Sequence, residues 1–150
     1  MSDAPASEFN ADFGDRFERL GRTLGEREAE HAPMREEARA CVEKLRATVA
    51  SALEDFHRAA RAAGCSHLEI GLSDVHIDDK HVRAVEFELF RGRHRAIVTA
   101  KSRGEVTLVG PFHKGKAEKP CRSFPFDAPQ ELRDALGDFL EQFLEEAATP

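Results

Sequence analysis

The sequence predicts an α+β fold: a long N-terminal helix, a four-stranded antiparallel meander and a C-terminal helix (α-β-β-β-β-α), preceded by a weakly helical arm. Three observations carry that expectation. Apolar residues recur at helical spacing as far as Gly64, alternate with a period of two from Leu68 onward, and return to helical spacing after Asp127. At 150 residues the chain fits one domain, which at that size buries roughly two thirds of the surface its unfolded form exposes.

Residues 1 to 32 read as a disordered tail of about seven residues followed by an amphipathic arm, and 33 to 150 as the α+β domain. In the arm, Phe9, Phe13, Phe17, Leu20 and Leu24 follow at spacings of four, four, three and four, which puts them on one helical face. Gly14, Gly21 and Gly25 weaken that helix by about 1 kcal/mol each relative to alanine, so the arm needs a surface to dock on. From Pro33, a favourable first-turn residue, to Gly64, a C-cap, runs a helix with an apolar stripe through Ala38, Cys41, Val42, Leu45, Val49, Leu53 and Phe56.

Beyond Gly64 the strands are read at Leu68 to Leu72, Val85 to Leu89, His94 to Ser102 and Glu105 to Gly110. Arg91-Gly92-Arg93 makes one turn and Arg103-Gly104 a two-residue hairpin. Asp127 with Gln130 three residues on announces the last helix as a capping box, and Leu132, Leu136, Phe139, Leu140 and Phe143 are its stripe. Both helices are expected on one face of the sheet.

Composition bounds the function. The net charge is -6, which opposes non-specific adhesion to nucleic acid or anionic membranes. No run reaches the eighteen or so apolar residues of a membrane span. The acidic N-terminus lacks the basic and apolar regions of a secretory signal, so a cytoplasmic location is expected, and three cysteines, an odd number, fit reduced thiols. Charge is uneven, however. Residues 91 to 122 hold nine basic and two acidic side chains, a local +7 opposed by both neighbouring segments.

If consecutive strands pair as hairpins, Arg91, Arg93, Arg95, Lys114, Lys116, Lys119 and Arg122 converge at one end of the sheet, and the last helix begins there too. A helix N-terminus attracts anions, so this end is the candidate site for an anionic ligand or RNA, with Phe112, Phe124 and Phe126 as stacking partners. Cys65, His67, His94, His113 and Cys121 fall near the same end and have the donor chemistry of zinc, but their spacing matches no metal signature and the surrounding charge repels a cation. No metal or other cofactor is therefore expected. His76, Asp78, Asp79 and His81 form a turn of ordinary composition. Gly110 to Ala117 matches the start of a phosphate-loop pattern but places alanine where Mg²⁺ needs a hydroxyl. With no nucleophile elbow or comparable pattern, the leading expectation is a non-enzymatic adaptor, chaperone or assembly factor. It binds another protein or a second copy as a homo-oligomer, with the arm stripe as its interface.

Overall fold

A computed structural model of the chain describes residues 3–78, 84–116 and 118–149, without the side chains of residues 3–9 and of His31. Helix α1 spans Asp3–Ala62. It starts earlier than the expected tail allows, because alanine, serine and glutamate dominate residues 4 to 8 and Pro5 falls within the first turns, where its missing N–H costs nothing. Pro33, expected to begin a second helix, lies inside α1. The chain divides there into two compact units, Met1–Pro33 and Met34–Pro150.

In the first unit the helix carries its apolar stripe on the surface. Phe13, Phe17, Leu20 and Leu24 are 42, 60, 50 and 48% exposed.

In the second unit the remainder of α1 buries Ala38, Val42, Val49 and Leu53 in the core, with Cys41, Leu45 and Phe56 half-buried beside them. It closes in a Schellman motif: Gly64, at φ +96°, donates its N–H to the Arg61 carbonyl, and Cys65 donates to Ala60. Polar contacts tie α1 to the segment that follows, among them the Arg46–Asp74 ion pair at 3.7 Å. The Ile70 N–H donates to His57 Nε2 at 3.0 Å, and Arg46 Nε donates to the Ser73 carbonyl at 2.7 Å.

The sheet that follows is antiparallel throughout. Its strands are β1 (Gly71–Leu72), β2 (His76–Ile77), β3 (Ala84–Arg91), β4 (His94–Lys101), β5 (Glu105–His113) and β6 (Cys121–Pro125), and α2 (Pro129–Ala148) closes the chain. β1 and β2 both pair with β3, and the order continues β3-β4-β5-β6. The fold class is the expected one, with two further strands beyond the four predicted: β6 at the edge, and β2, whose His76 and Ile77 lie in the segment read as a turn.

The first expected strand is shortened to Gly71–Leu72. Leu68 and Ile70 precede it, since the Ile70 amide is taken by His57. Ser73 then interrupts the ladder: its hydroxyl oxygen accepts the Glu88 N–H at 2.8 Å. The hairpin between β4 and β5 has three loop residues rather than two: Lys101 pairs with Glu105, and Gly104 takes φ +97°, the left-handed position that such loops require. At α2 the expected capping box does not form. The N-cap is Ala128 without a side-chain cap, because Pro129 begins the helix one residue beyond the register in which Asp127 and Gln130 would cap each other, and Gln130 instead donates to Asp134.

Strand alternation sends Val85, Phe87 and Leu89, Ala96, Val98 and Ala100, Val106 and Leu108, and Phe124 to one face. There they pack with the buried residues of α1 and with Leu132, Leu136, Phe139, Phe143 and Ala147 of α2. Both helices of this unit therefore cover one face, as expected. Among the described residues of this unit no helix covers the other face.

Candidate functional site

The strand that the sequence did not announce reverses one conclusion drawn from it. β6 carries the chain away from the basic end, since Pro125 pairs with Glu105 at the far turn. α2 therefore starts at the far end, and its C-terminus returns to the basic one. Arg91 Nη1 donates to the carbonyl of Ala147 in the last turn of α2. The helix pole facing the basic end is thus the partially negative one, which attracts cations. The anion-attracting N-terminus expected there is absent.

The two basic segments do meet. His94 pairs with His113 in register, their rings are 4.6 Å apart edge to face, and the Lys114 N–H donates to the Arg93 carbonyl at 2.7 Å. Their side chains have separate fates. Arg91 serves α2. Arg95 is only 15% exposed as a side chain and pairs with Glu88 at 2.9 Å while donating to the His94 carbonyl. Lys119 lies 5.0 Å over the Phe112 ring. Arg122 lies 5.3 Å over Phe124, opposite Leu108 in mid-strand, so it leaves the basic end for a small cavity of about 210 Å³ shared with Asp138 and Gln142. Arg93, Lys114 and Lys116 remain exposed at the tip, and none of the salt bridges among the described residues involves them. Of the three expected stacking rings, Phe124 is buried and Phe126 is half-buried beneath the helices. Only Phe112 lies on the open face, in a row that reads Phe90, Arg95, Phe112 across three strands.

The metal candidates are not gathered. Cys65 lies beside His67, with Sγ 3.8 Å from Nε2, His94 and His113 form a second pair, and Cys121 is exposed on the edge strand. Among the described residues no group of three or more ligating side chains forms, and all three cysteines are unpaired. The phosphate-loop match dissolves because Gly110–His113 belongs to β5 and the next element is a strand; Ala117 lies outside the described residues. Asp79 and His81 also lie outside them. His76, from the same turn, faces Glu86 across the ladder, with Nε2 3.2 Å from the carboxylate. Burial opposes the charged imidazole, but the Asp74 carbonyl and the Glu86 carboxylate outweigh it and hold its pKa above the ordinary value. Burial likewise raises Glu86, aided by Asp78.

Two apolar features remain. One is the arm stripe; its Phe9 side chain lies outside the described residues, and the rings of Phe13 and Phe17 stand 5.1 Å apart. The other, which the sequence reading missed, is a groove of about 930 Å³ between α1, from Glu37 to Thr48, and the start of α2. Cys41, Leu45, Phe126, Leu132 and Leu136 form its walls, and burial pushes the Cys41 thiol pKa up. A stripe wider than one packing interface needs was its only trace in the sequence.

Compared with protein-family models, curated proteins and solved structures, the chain matches none. Among the described residues no helix is long and apolar enough to cross a membrane.

Proposed function

We propose that the protein is a non-enzymatic protein-binding module, an adaptor or assembly factor, whose binding element is the N-terminal helical arm. The observation that carries this reading is the stripe of four large apolar side chains, each 42 to 60% exposed, at the i, i+4, i+7 and i+11 positions by which an amphipathic helix anchors itself in a groove. A helix holding three glycines does not retain such a stripe cheaply in water; a partner surface supplies the missing burial.

The test is differential capture. Tagged full-length protein and its Phe13→Ser/Phe17→Ser variant are cross-linked in nuclease-treated lysate, and retained proteins are quantified by mass spectrometry. A protein held by the wild type and lost from the variant supports the reading. Identical sets from both baits remove it.

The exposed trio Arg93, Lys114 and Lys116 favours a second reading, an anion-binding tip for RNA or an acidic ligand. Such binding would be strongly salt-dependent. Filter binding of single-stranded RNA at low salt, repeated with Lys114→Glu/Lys116→Glu, decides it: equal retention by both proteins, or none, excludes this use of the tip.

A further inference from the structure

We infer that the arm stripe of one copy occupies the groove between α1 and α2 of a second copy, and that the exchange is reciprocal. The inference rests on the arm being a binding element and goes further by naming the partner surface.

The first argument is length. The stripe runs from Phe13 to Leu24 and the groove wall on α1 from Glu37 to Thr48. Each covers eleven helical steps, about 16 Å at 1.5 Å per residue.

The second argument is area. A fully exposed phenylalanine presents about 200 Å² and a leucine somewhat less, so the exposed fractions of Phe13, Phe17, Leu20 and Leu24 amount to about 350 Å² per arm. Two arms meeting stripe to stripe would bury about 700 Å² in total, short of the ~1,000 Å² that a specific interface needs. Two arms each seated in the other copy's groove cover the groove walls as well and bury about 1,100 Å², counting both sides of both contacts, which clears that threshold. Reciprocal seating also closes the assembly at two copies, as two-fold symmetry requires.

The third argument is shape. Gly14, Gly21 and Gly25 lie on one flank of the stripe, and space around each is open, so among the described residues nothing uses their lack of a side chain. Against a groove wall that includes Ala40 and Ala47, they let two helix backbones approach closely.

The experiment measures the solution mass of the full-length protein by light scattering across a dilution series, with thermal unfolding as a control for folding. The wild type is expected at twice 16.7 kDa. Phe17→Glu on the exposed stripe and Ala40→Glu/Ala47→Glu on exposed positions of the groove wall should each weaken dimerisation by about 30-fold or more, the effect of losing a hot spot. Leu20→Cys, mildly oxidised, should yield a cross-linked dimer whose linked peptide joins position 20 to Cys41. A dimer broken by Phe17→Glu but untouched by the groove variant overturns the groove assignment while leaving the arm a binding element. A wild type that stays monomeric at about 100 μM, a concentration at which a specific interface is occupied, overturns the self-pairing and leaves the arm's capture of another protein to be judged by the capture test.

Discussion

Replacing Arg91 by alanine tests how the structure divides the basic end. The last turn of α2 contains no basic residue of its own, and Arg91 reaches its Ala147 carbonyl from β3. A hydrogen bond from a charged donor contributes about 1.5–3 kcal/mol, and a cation at a helix C-terminus about 0.3–1 kcal/mol. These overlap, and water recovers part of the loss because Arg91 is only half-buried, so the expected destabilisation is about 2 kcal/mol. In urea, with a slope of about 1.5 kcal/mol/M, the midpoint should fall by about 1.3 M. Arg93→Ala, one step around the same turn but exposed, should stay within about 0.5 kcal/mol. Arg91→Lys should fall between, since lysine keeps the charge without the guanidinium's reach. If the two alanine variants unfold at the same midpoint, Arg91 is not capping α2, and the polarity assigned to that helix loses its energetic support.

Two further outcomes are expected. A Cβ at Gly71 would lie 2.3 Å from the Phe90 ring, so Gly71→Ala should destabilise by about 1–3 kcal/mol, and most of that cost should vanish in a Phe90→Ala background; an additive double mutant in denaturant unfolding would refute the contact. For His76, the folded pKa lies above the ordinary 6.5, so its stabilisation is complete below 6.5 and is lost as pH rises through the folded value. Glu86, raised above 4.5 by burial, has the same sign at lower pH. Glu86→Gln should therefore lower the His76 titration midpoint, read by NMR, and flatten the stability profile above pH 6.5; an unchanged midpoint would show that the contact does not form in solution.

Much of the fold was legible because its signals are periodic. The switch of period at Gly64 marks where α1 ends, and the alternation in Val85, Phe87 and Leu89 places β3 and its buried face without ambiguity. β6 was not legible: Cys-Arg-Ser-Phe-Pro offers one buried residue, Phe124, and is bordered by prolines that usually exclude a strand, though an edge position tolerates them. Missing that strand reversed the direction of α2 and so attached the wrong helix pole to the basic end. The continuity of α1 through Pro33 was hidden by the penalty that proline carries, which neighbouring helix-forming residues outweigh. The basic residues were correctly read as neighbours in part, but a sequence cannot show which arginines are already committed; Arg91 and Arg95 look no different from Arg93 until their partners are placed. The groove left only the width of the α1 stripe as a trace, because its other wall comes from α2, far along the chain.

The broken edge formed by β1 and β2 bears on aggregation. Each piece is two residues long, separated by a stretch in which Ser73 satisfies the β3 backbone with its side chain, while the opposite edge ends at Pro125, which has no amide hydrogen to offer. Neither border presents a long row of free backbone groups to a foreign strand, so runaway fibre growth by sheet extension is discouraged at both sides. If copies pair through their helices as inferred above, that contact is self-limiting, and the broken and proline-ended edges oppose the kind that would not stop.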